Sequence, residues 1–247
     1  MPLKITTLAE RPEFASSLWD MDHTWQEFVL NDPLADLFYP LATTMYADWV
    51  LVADDSSEPG RLVARGCMVP YRSDGGELPD DGWDGVLRSA WLARARGLRA
   101  NAVSALEVTV RRDLQGKGLS SVMLAAMRDL AARLGYAELV APVRPSRKHL
   151  EPHTPMTEYA HRTRSDGLPH DAWLRVHVRA GGKIVKVAPR SMVVAGTLAE
   201  WRTWTGLPFD RSGAVEVPGA LSPVHCDAEQ DHAVYVEPNV WVTHPLV

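Results

Sequence analysis

One stretch limits this chain more than any other: Ser104–Tyr136, SALEVTVRRDLQGKGLSSVMLAAMRDLAARLGY. Leu106–Val110 is a short β-branched run with the alternation of a strand. The charged segment Arg111–Gly118 follows, and two glycines sit in Gln115-Gly116-Lys117-Gly118. Leu119–Leu134 then changes to a helical period, which puts Met123, Met127, Leu130 and Leu134 on one face. Gly135 stands where a left-handed helix cap is expected. The predicted unit is strand, glycine turn, helix.

Such a unit points to an anionic ligand. The first amides of a helix have no partner inside it and lie at its positive end. Glycines let the backbone close around a ligand because no Cβ intrudes. The result is a phosphate or pyrophosphate cradle, with Lys117 adding charge beside it. The spacing is neither that of the triphosphatase loop, which needs Gly-Lys-Ser/Thr after a longer loop, nor G-x-G-x-x-G. It is Gln-x-x-Gly-x-Ser: Gln115, Gly118, Ser120.

That pattern resembles the acetyl-CoA-binding signature of the GCN5-related N-acetyltransferase superfamily, Gln/Arg-x-x-Gly-x-Gly/Ala. Gln115 and Gly118 match, and Ser120 stands in place of the small Gly or Ala. The resemblance implies an α/β fold with a mixed, splayed sheet flanked by helices. It also implies an acyl-CoA cofactor, acetyl-CoA or a relative such as malonyl-CoA. That cofactor would be bound through Val108 and Val110 and the turn Gln115, Gly116, Lys117, Gly118, Leu119 and Ser120. The resemblance is strongest over residues 104–187.

Composition adds exclusions. The 247 residues are 46% hydrophobic and 23% charged, which is ordinary for a globular chain. A net charge of −5 argues against a general nucleic-acid binder. No apolar run approaches the length of a membrane span. The first residues, MPLKITTLAERPEF, lack the apolar core of a signal peptide. Cys67 and Cys226, the only cysteines, form no disulfide framework or zinc spacing, so a reducing cytoplasm is expected.

Along the chain, Leu3–Leu8 reads as a strand. Arg11–Leu30 and Leu34–Trp49 read as two helical stretches broken at Asp32-Pro33. Val50–Ala53 and Leu62–Tyr71 form a hairpin about the turn Asp54–Gly60. Ser73–Gly85 is a polar loop, either plain surface or an acceptor wall carrying Trp83 and Asp84, and Arg88–Arg99 is helical. Glu138–Val143 is a strand. Arg144–Pro169 is a long polar segment in which Tyr159 is a candidate contact for the acceptor or the CoA phosphates. Its His149, His153 and His161 fit no standard zinc spacing, so no metal is expected. Asp171–Ala180 is helical and Lys183–Val187 a strand. Ser191–Ala195, Val215–Val217, Ala233–Val236 and Val240–Thr243 are further strands, with Glu237-Pro238-Asn239 a turn. The whole chain is expected to form one domain, residues 190–247 completing the sheet and the acceptor pocket.

Acyl transfer to an amine needs a neutral amine, a polarised carbonyl and a short approach. In the superfamily a tyrosine near the end of the later helix serves as general acid toward the departing thiolate. Aligned on Gly181-Gly182, His177 takes that place, and imidazole's ordinary pKa of about 6.5 suits the task. Glu107, the one carboxylate in the signature strand, is the candidate base, with Asp84, Glu237 and His244 behind it. A second possibility draws on superfamily members that act as polyketide loading domains. These decarboxylate a malonyl thioester and pass the acyl group to a carrier-protein thiol, with a histidine and a threonine addressing the carboxylate. Thr109 and His177 supply both types. A non-catalytic acyl-CoA binder is the third. The expected acceptor is a small-molecule amine, or a carrier-protein thiol for the second possibility.

Overall fold

The computed structural model describes residues 3–55, 57 and 60–246. Among them nine strands form one mixed sheet. Its order is β1 (Leu3–Thr7), β2 (Val50–Asp55), β3 (Leu62–Tyr71), β4 (Ala102–Val110), β5 (Glu138–Val143), β9 (His232–Pro245), β8 (Val224–Asp227) and β7 (Gly213–Val215). β6 (Lys183–Gly196) runs along the other edge of β9. The helices are α1 (Glu27–Leu30), α2 (Gly82–Ala95), α3 (Leu119–Arg133), α4 (Met156–Tyr159), α5 (Ala172–Arg179) and α6 (Leu198–Thr205).

The feature that makes room for a ligand is the seam between β4 and β5. These strands are parallel and meet at a single register pair, Ser104 with Val140. β4 runs on to Val110 and β5 to Val143 without further pairing, so the sheet parts there. β4 also bulges. Cys67 faces Glu107 but Met68 faces Ala105, leaving Leu106 as the extra residue.

The sheet separates two cores. One, on the side of α2 and α6, contains Phe28, Phe38, Trp83, Trp201 and Trp241. The other, under α3, contains Met68, Met123, Met127, Leu130 and Leu174. Three of the four residues expected on the inner face of α3 are thus buried. Leu134 caps the helix instead and stays 47% exposed.

The two N-terminal helical stretches are corrected. Arg11–Leu30 holds one turn of 3-10 helix at Pro12–Phe14 and the single turn α1. Leu34–Trp49 holds only the 3-10 turns Ala35–Leu37, Tyr39–Leu41 and Ala47–Trp49. Pro33 and Pro40 remove helix donors, and the Ser, Thr, Asp and His of residues 16–24 favour caps and turns over helix interiors. The helix placed at Arg88–Arg99 begins earlier, at Gly82, and stops at Ala95. Glu237-Pro238-Asn239 is no turn. It continues β9 through a register shift opposite β6 residues 188–192, where a missing ladder bond accommodates Pro238. For the same reason Lys183–Val187 and Ser191–Ala195 are one strand. The strand placed at Val215–Val217 lies at Gly213–Val215. The middle of the expected turn Asp54–Gly60, residues 56, 58 and 59, lies outside the described residues.

Candidate active site

The parted seam opens into a cavity of about 970 Å³ lined from both faces of the sheet. The amide of Arg111 donates to Val63 O (3.0 Å), so alternation along β4 turns the N–H groups of Val108 and Val110 toward the edge that β5 has left. Gln115 Nε2 donates to Val110 O (3.3 Å) and ties the turn back to the strand end.

The glycine turn adopts the backbone the sequence demands. Gly116 (φ +76°) and Gly118 (φ +82°) are left-handed, and Gly118 caps α3. A Cβ at either would meet nothing within 4 Å, so handedness requires the glycines and space stands open above them. Among the described residues, the amides of Gly116, Lys117, Gly118, Leu119 and Ser120 donate to no protein oxygen. Five free amides at a helix N-terminus, with the exposed Lys117 beside them, fit a pyrophosphate.

On the opposite face of β4 lies a buried polar knot. Glu107 accepts hydrogen bonds from Tyr39 Oη (2.8 Å), Arg65 Nε (2.8 Å) and Thr109 Oγ1. Trp25 Nε1 donates to Thr109 Oγ1 (3.1 Å), and Arg65 Nη1 donates to Leu18 O (2.8 Å). These bonds pin the irregular N-terminal segment over the cavity. Burial, reinforced by the charge of Glu107, pushes the Tyr39 hydroxyl well above its ordinary pKa and keeps it a donor. Glu237, fully buried, accepts from Arg144 Nε (2.9 Å), Tyr235 Oη (2.8 Å) and Asn239 Nδ2 (3.0 Å). Trp19, Trp25, Tyr39 and Trp83 supply the aromatic part of this wall, with Trp19 edge-on to Tyr39 at 5.2 Å.

Beneath the wall two carboxyls face each other. Asp32 Oδ1 accepts from Leu34 N (2.8 Å), and Asp84 Oδ2 accepts from Val193 N (3.1 Å). Their other oxygens have no donor except each other, and both residues are buried. Burial raises Asp32 to about 6; burial and the charge of Asp32 raise Asp84 to about 8. The pair therefore shares a proton at neutral pH.

At the far end, α5 starts on Asp171, whose carboxylate accepts from the amides of Trp173 and Leu174. One turn on, His177 is 2% exposed and lines the cavity. Its Nδ1 lies 2.9 Å from His244 Nε2, and its Nε2 has no partner. Burial, with a smaller contribution from His244, lowers His177 to about 3. Burial thus favours the uncharged imidazole over the ordinary titration expected from sequence.

Of the residues expected from sequence, the cavity brings together Glu107, Val108, Thr109, Val110, Gln115, Ser120 and His177. Gly116, Lys117, Gly118 and Leu119 lie outside its lining; the Leu119 side chain is buried in the α3 core. Trp83 and His149 line the cavity. Tyr159 does not: it is 1% exposed and donates to Asp171 Oδ2 (3.0 Å), a structural role that replaces the expected ligand contact. His153 is at the surface beside Glu216. Among the described residues no group of three or more His, Cys, Asp or Glu could hold a metal, and no helix is long and apolar enough to cross a membrane. Sequence reasoning missed Tyr39, Trp25 and Arg65. Only Arg65 carried a signal, as a charge inside the apolar strand LVARGCMVPY.

A sheet parted at one parallel bridge, with a free-amide helix turn at the end of the bulged strand, is the architecture of the GCN5-related N-acetyltransferase superfamily. The chain belongs to that superfamily and is an acyltransferase of its type. It is 32% identical over 271 aligned positions to arginine N-acetyltransferase avaD of Aspergillus versicolor, covering 98% of this chain and 93% of that protein. Among solved structures it is similar to the loading GNATL domain of CurA from Lyngbya majuscula (TM-score 0.63, 16% identity, 100% and 98% of the two chains). It is also similar to the GphF GNAT-like decarboxylase in complex with isobutyryl-CoA (TM-score 0.52, 15% identity, 100% of both chains). No protein-family model matches the chain.

Proposed function

We propose that the protein transfers an acetyl group from acetyl-CoA to an amino group of a small cationic acceptor, with arginine the first candidate. The observation that carries this is that one strand, β4, serves two chambers. Its free N–H groups at Val108 and Val110 face the parted seam, and the Thr109–Glu107 pair faces an aromatic chamber edged with carboxylates. The near full-length similarity to an arginine N-acetyltransferase supports the choice of acceptor.

Acetyl-CoA supplies the acyl thioester. The amides of residues 116–120 and Lys117 hold its pyrophosphate. The Val108 or Val110 N–H polarises the thioester carbonyl, a fixed donor aimed where negative charge develops. The amine proton becomes acidic as the nitrogen bonds to carbon. Thr109 Oγ1 accepts it while passing its own proton to Glu107. Tyr39 and Arg65 hold the Glu107 carboxylate in line with Thr109. Trp19, Trp83 and the exposed Asp36 at the rim offer a cationic side chain an aromatic and acidic surface.

Thr109 and His177 line the same cavity, which favours a second reading: decarboxylation of a malonyl thioester, with transfer to a carrier-protein thiol. Against it, the Thr109 hydroxyl proton is committed to Glu107, whose charge would repel a second carboxylate. Mass-spectrometric incubation with acetyl-CoA and, separately, malonyl-CoA tests both, with arginine, other amines and a carrier thiol as acceptors. Acetylarginine with malonyl-CoA left intact is the expected result. Carbon dioxide release from malonyl-CoA without an amine would overturn the first reading in favour of the second. Tight CoA binding without turnover of any acceptor would leave a non-catalytic binder.

A further inference from the structure

One guanidinium of the cavity is built in a way that its ion pair does not explain. Arg144 follows directly on β5 and leaves the sheet where the seam has parted. Its side chain lines the cavity. Nε donates to Glu237 Oε2 (2.9 Å) and Nη2 to Gly219 O (2.7 Å). Of the guanidinium's five N–H groups these bonds use two. Among the described residues Nη1 donates to no protein atom, and it stays accessible. Glu237, by contrast, is 0% exposed and closed in by Arg144, Tyr235 and Asn239. The negative member of the pair is shut away, and the positive member presents an open edge. That edge has the planar, two-donor shape that a carboxylate fits.

The guanidinium is held rigidly. Behind it runs a buried chain: Asn239 Nδ2 donates to Glu237 Oε1 (3.0 Å), Ser191 Oγ to Asn239 Oδ1 (2.7 Å), and Trp83 N to Ser191 Oγ (2.9 Å). Gly82 lets the chain close, since a Cβ there would come within 2.1 Å of Ser191 Oγ. The break in the β6–β9 ladder falls between Glu237 and Asn239, which share one face of β9 and both line the cavity. A charge fixed in this way needs little ordering when its ligand arrives.

Its placement says which ligand. Arg144 Cζ lies 6.0 Å from the centre of the Trp25 ring, and Trp25 Nε1 donates to Thr109 Oγ1 (3.1 Å). One indole thus spans the interval between the guanidinium and the hydroxyl of β4. Thr109 points to the face opposite Val108, away from the N-terminus of α3. An anion on Arg144 therefore belongs to the molecule that meets Thr109.

We propose that Arg144 binds a carboxylate of the acceptor, which makes the acceptor class a free α-amino acid. A decarboxylated amine or a residue linked through its carboxyl group lacks the anion. The proposal rests on the amine-acylation reading above. Glu237 is a positioning residue: it takes the Nε edge and leaves Nη1 for the ligand. No bond is made or broken at Arg144.

Paired ligands test this on the wild-type chain. Arginine and argininamide, which keeps the shape and loses the negative charge, are compared as acceptors by thiol release. The same pair is titrated calorimetrically into the CoA-loaded protein. Arginine is expected to bind at least tenfold more tightly, the scale of one hydrogen bond between charged groups. Arg144→Met alone would leave Glu237 buried without a cation, so the double variant Arg144→Met/Glu237→Gln is used, its fold checked by circular dichroism. There arginine should bind no better than argininamide. Arg144→Lys, a charge without the fork, should keep part of the preference, and it decides with the wild-type pair if the double variant does not fold. Equal affinity of the two ligands for wild type, a full preference in the folded double variant, or binding of no amino acid would overturn the proposal. The two readings fail separately. Another amino acid preferred over its own amide, with arginine ignored, would replace arginine as the acceptor and support Arg144. Equal acetylation of arginine and argininamide would remove Arg144 and leave amine acylation standing. Carbon dioxide release from malonyl-CoA without an amine, slowed in the double variant, would put the guanidinium on the donor's carboxylate and overturn the proposal.

Discussion

Replacing Asp84 with asparagine should change the pH dependence of stability in a calculable way. In the folded chain Asp84 keeps its proton to about pH 8, held by burial and by the facing Asp32. In the unfolded chain an aspartate loses it at about pH 4. Between these values the folded state binds more protons, so stability falls as pH rises through the window and levels off above about pH 8. Each pH unit is worth about 1.4 kcal/mol, so Asp84 alone removes about 3 kcal/mol between pH 6 and pH 8. For a chain of this length that is a Tm decrease of about 6–12 °C. Asparagine reproduces the protonated form at every pH. Its Oδ1 can accept from Val193 N, and its Nδ2 can donate to the Asp32 oxygen that now lacks another donor. Differential scanning calorimetry at pH 6, 7 and 8 should show the wild-type Tm sliding down and that of Asp84→Asn nearly level. Asp32→Asn should flatten the profile less, since burial, the larger cause, still holds the Asp84 proton. Parallel profiles for wild type and both variants would refute the shared proton.

Three other variants probe the glycine turn and the polar knot on β4. Gly118→Glu puts a Cβ on a backbone at φ +82° and a negative charge over the five free amides; calorimetric titration should detect no CoA binding. Glu107→Gln leaves Arg65, 4% exposed, without its charge partner, and should destabilise the fold by about 3 kcal/mol in urea titration while abolishing acetyl transfer. Thr109→Val breaks the path between the amine and Glu107; kcat should drop at least tenfold in a thiol-release assay with CoA affinity unchanged.

The sequence made the strand, the turn and the helix around Gly118 legible because each follows from local rules: period, handedness and capping. The site residues on β4 came with them, since a strand fixes which of its residues share a face. The aromatic wall of the cavity was hidden. Residues 11–49 form it with isolated turns, held by Tyr39 on Glu107 and Trp25 on Thr109, contacts 68 and 84 residues apart in sequence. No periodicity encodes such ties. Pro238 misled in the other direction, because a proline inside a strand reads as a turn unless the bulge opposite it is known. The place of His177 before Gly181-Gly182 was readable, but its charge state depends mainly on burial, which no local pattern shows.

The seam between β4 and β5 also bears on kinetic order. Because the strands touch at one residue pair, the cavity passes through the sheet, with Val108 and Leu124 on the α3 side and Trp19 and Tyr39 on the other. Donor and acceptor can therefore occupy opposite mouths at once, and neither must leave before the other enters. Neither cysteine lines the passage, and Cys67 is fully buried. The acyl group thus needs no resting place on either thiol. A chain built this way is suited to a sequential mechanism through a ternary complex, in which initial-rate lines for the two substrates converge rather than run parallel.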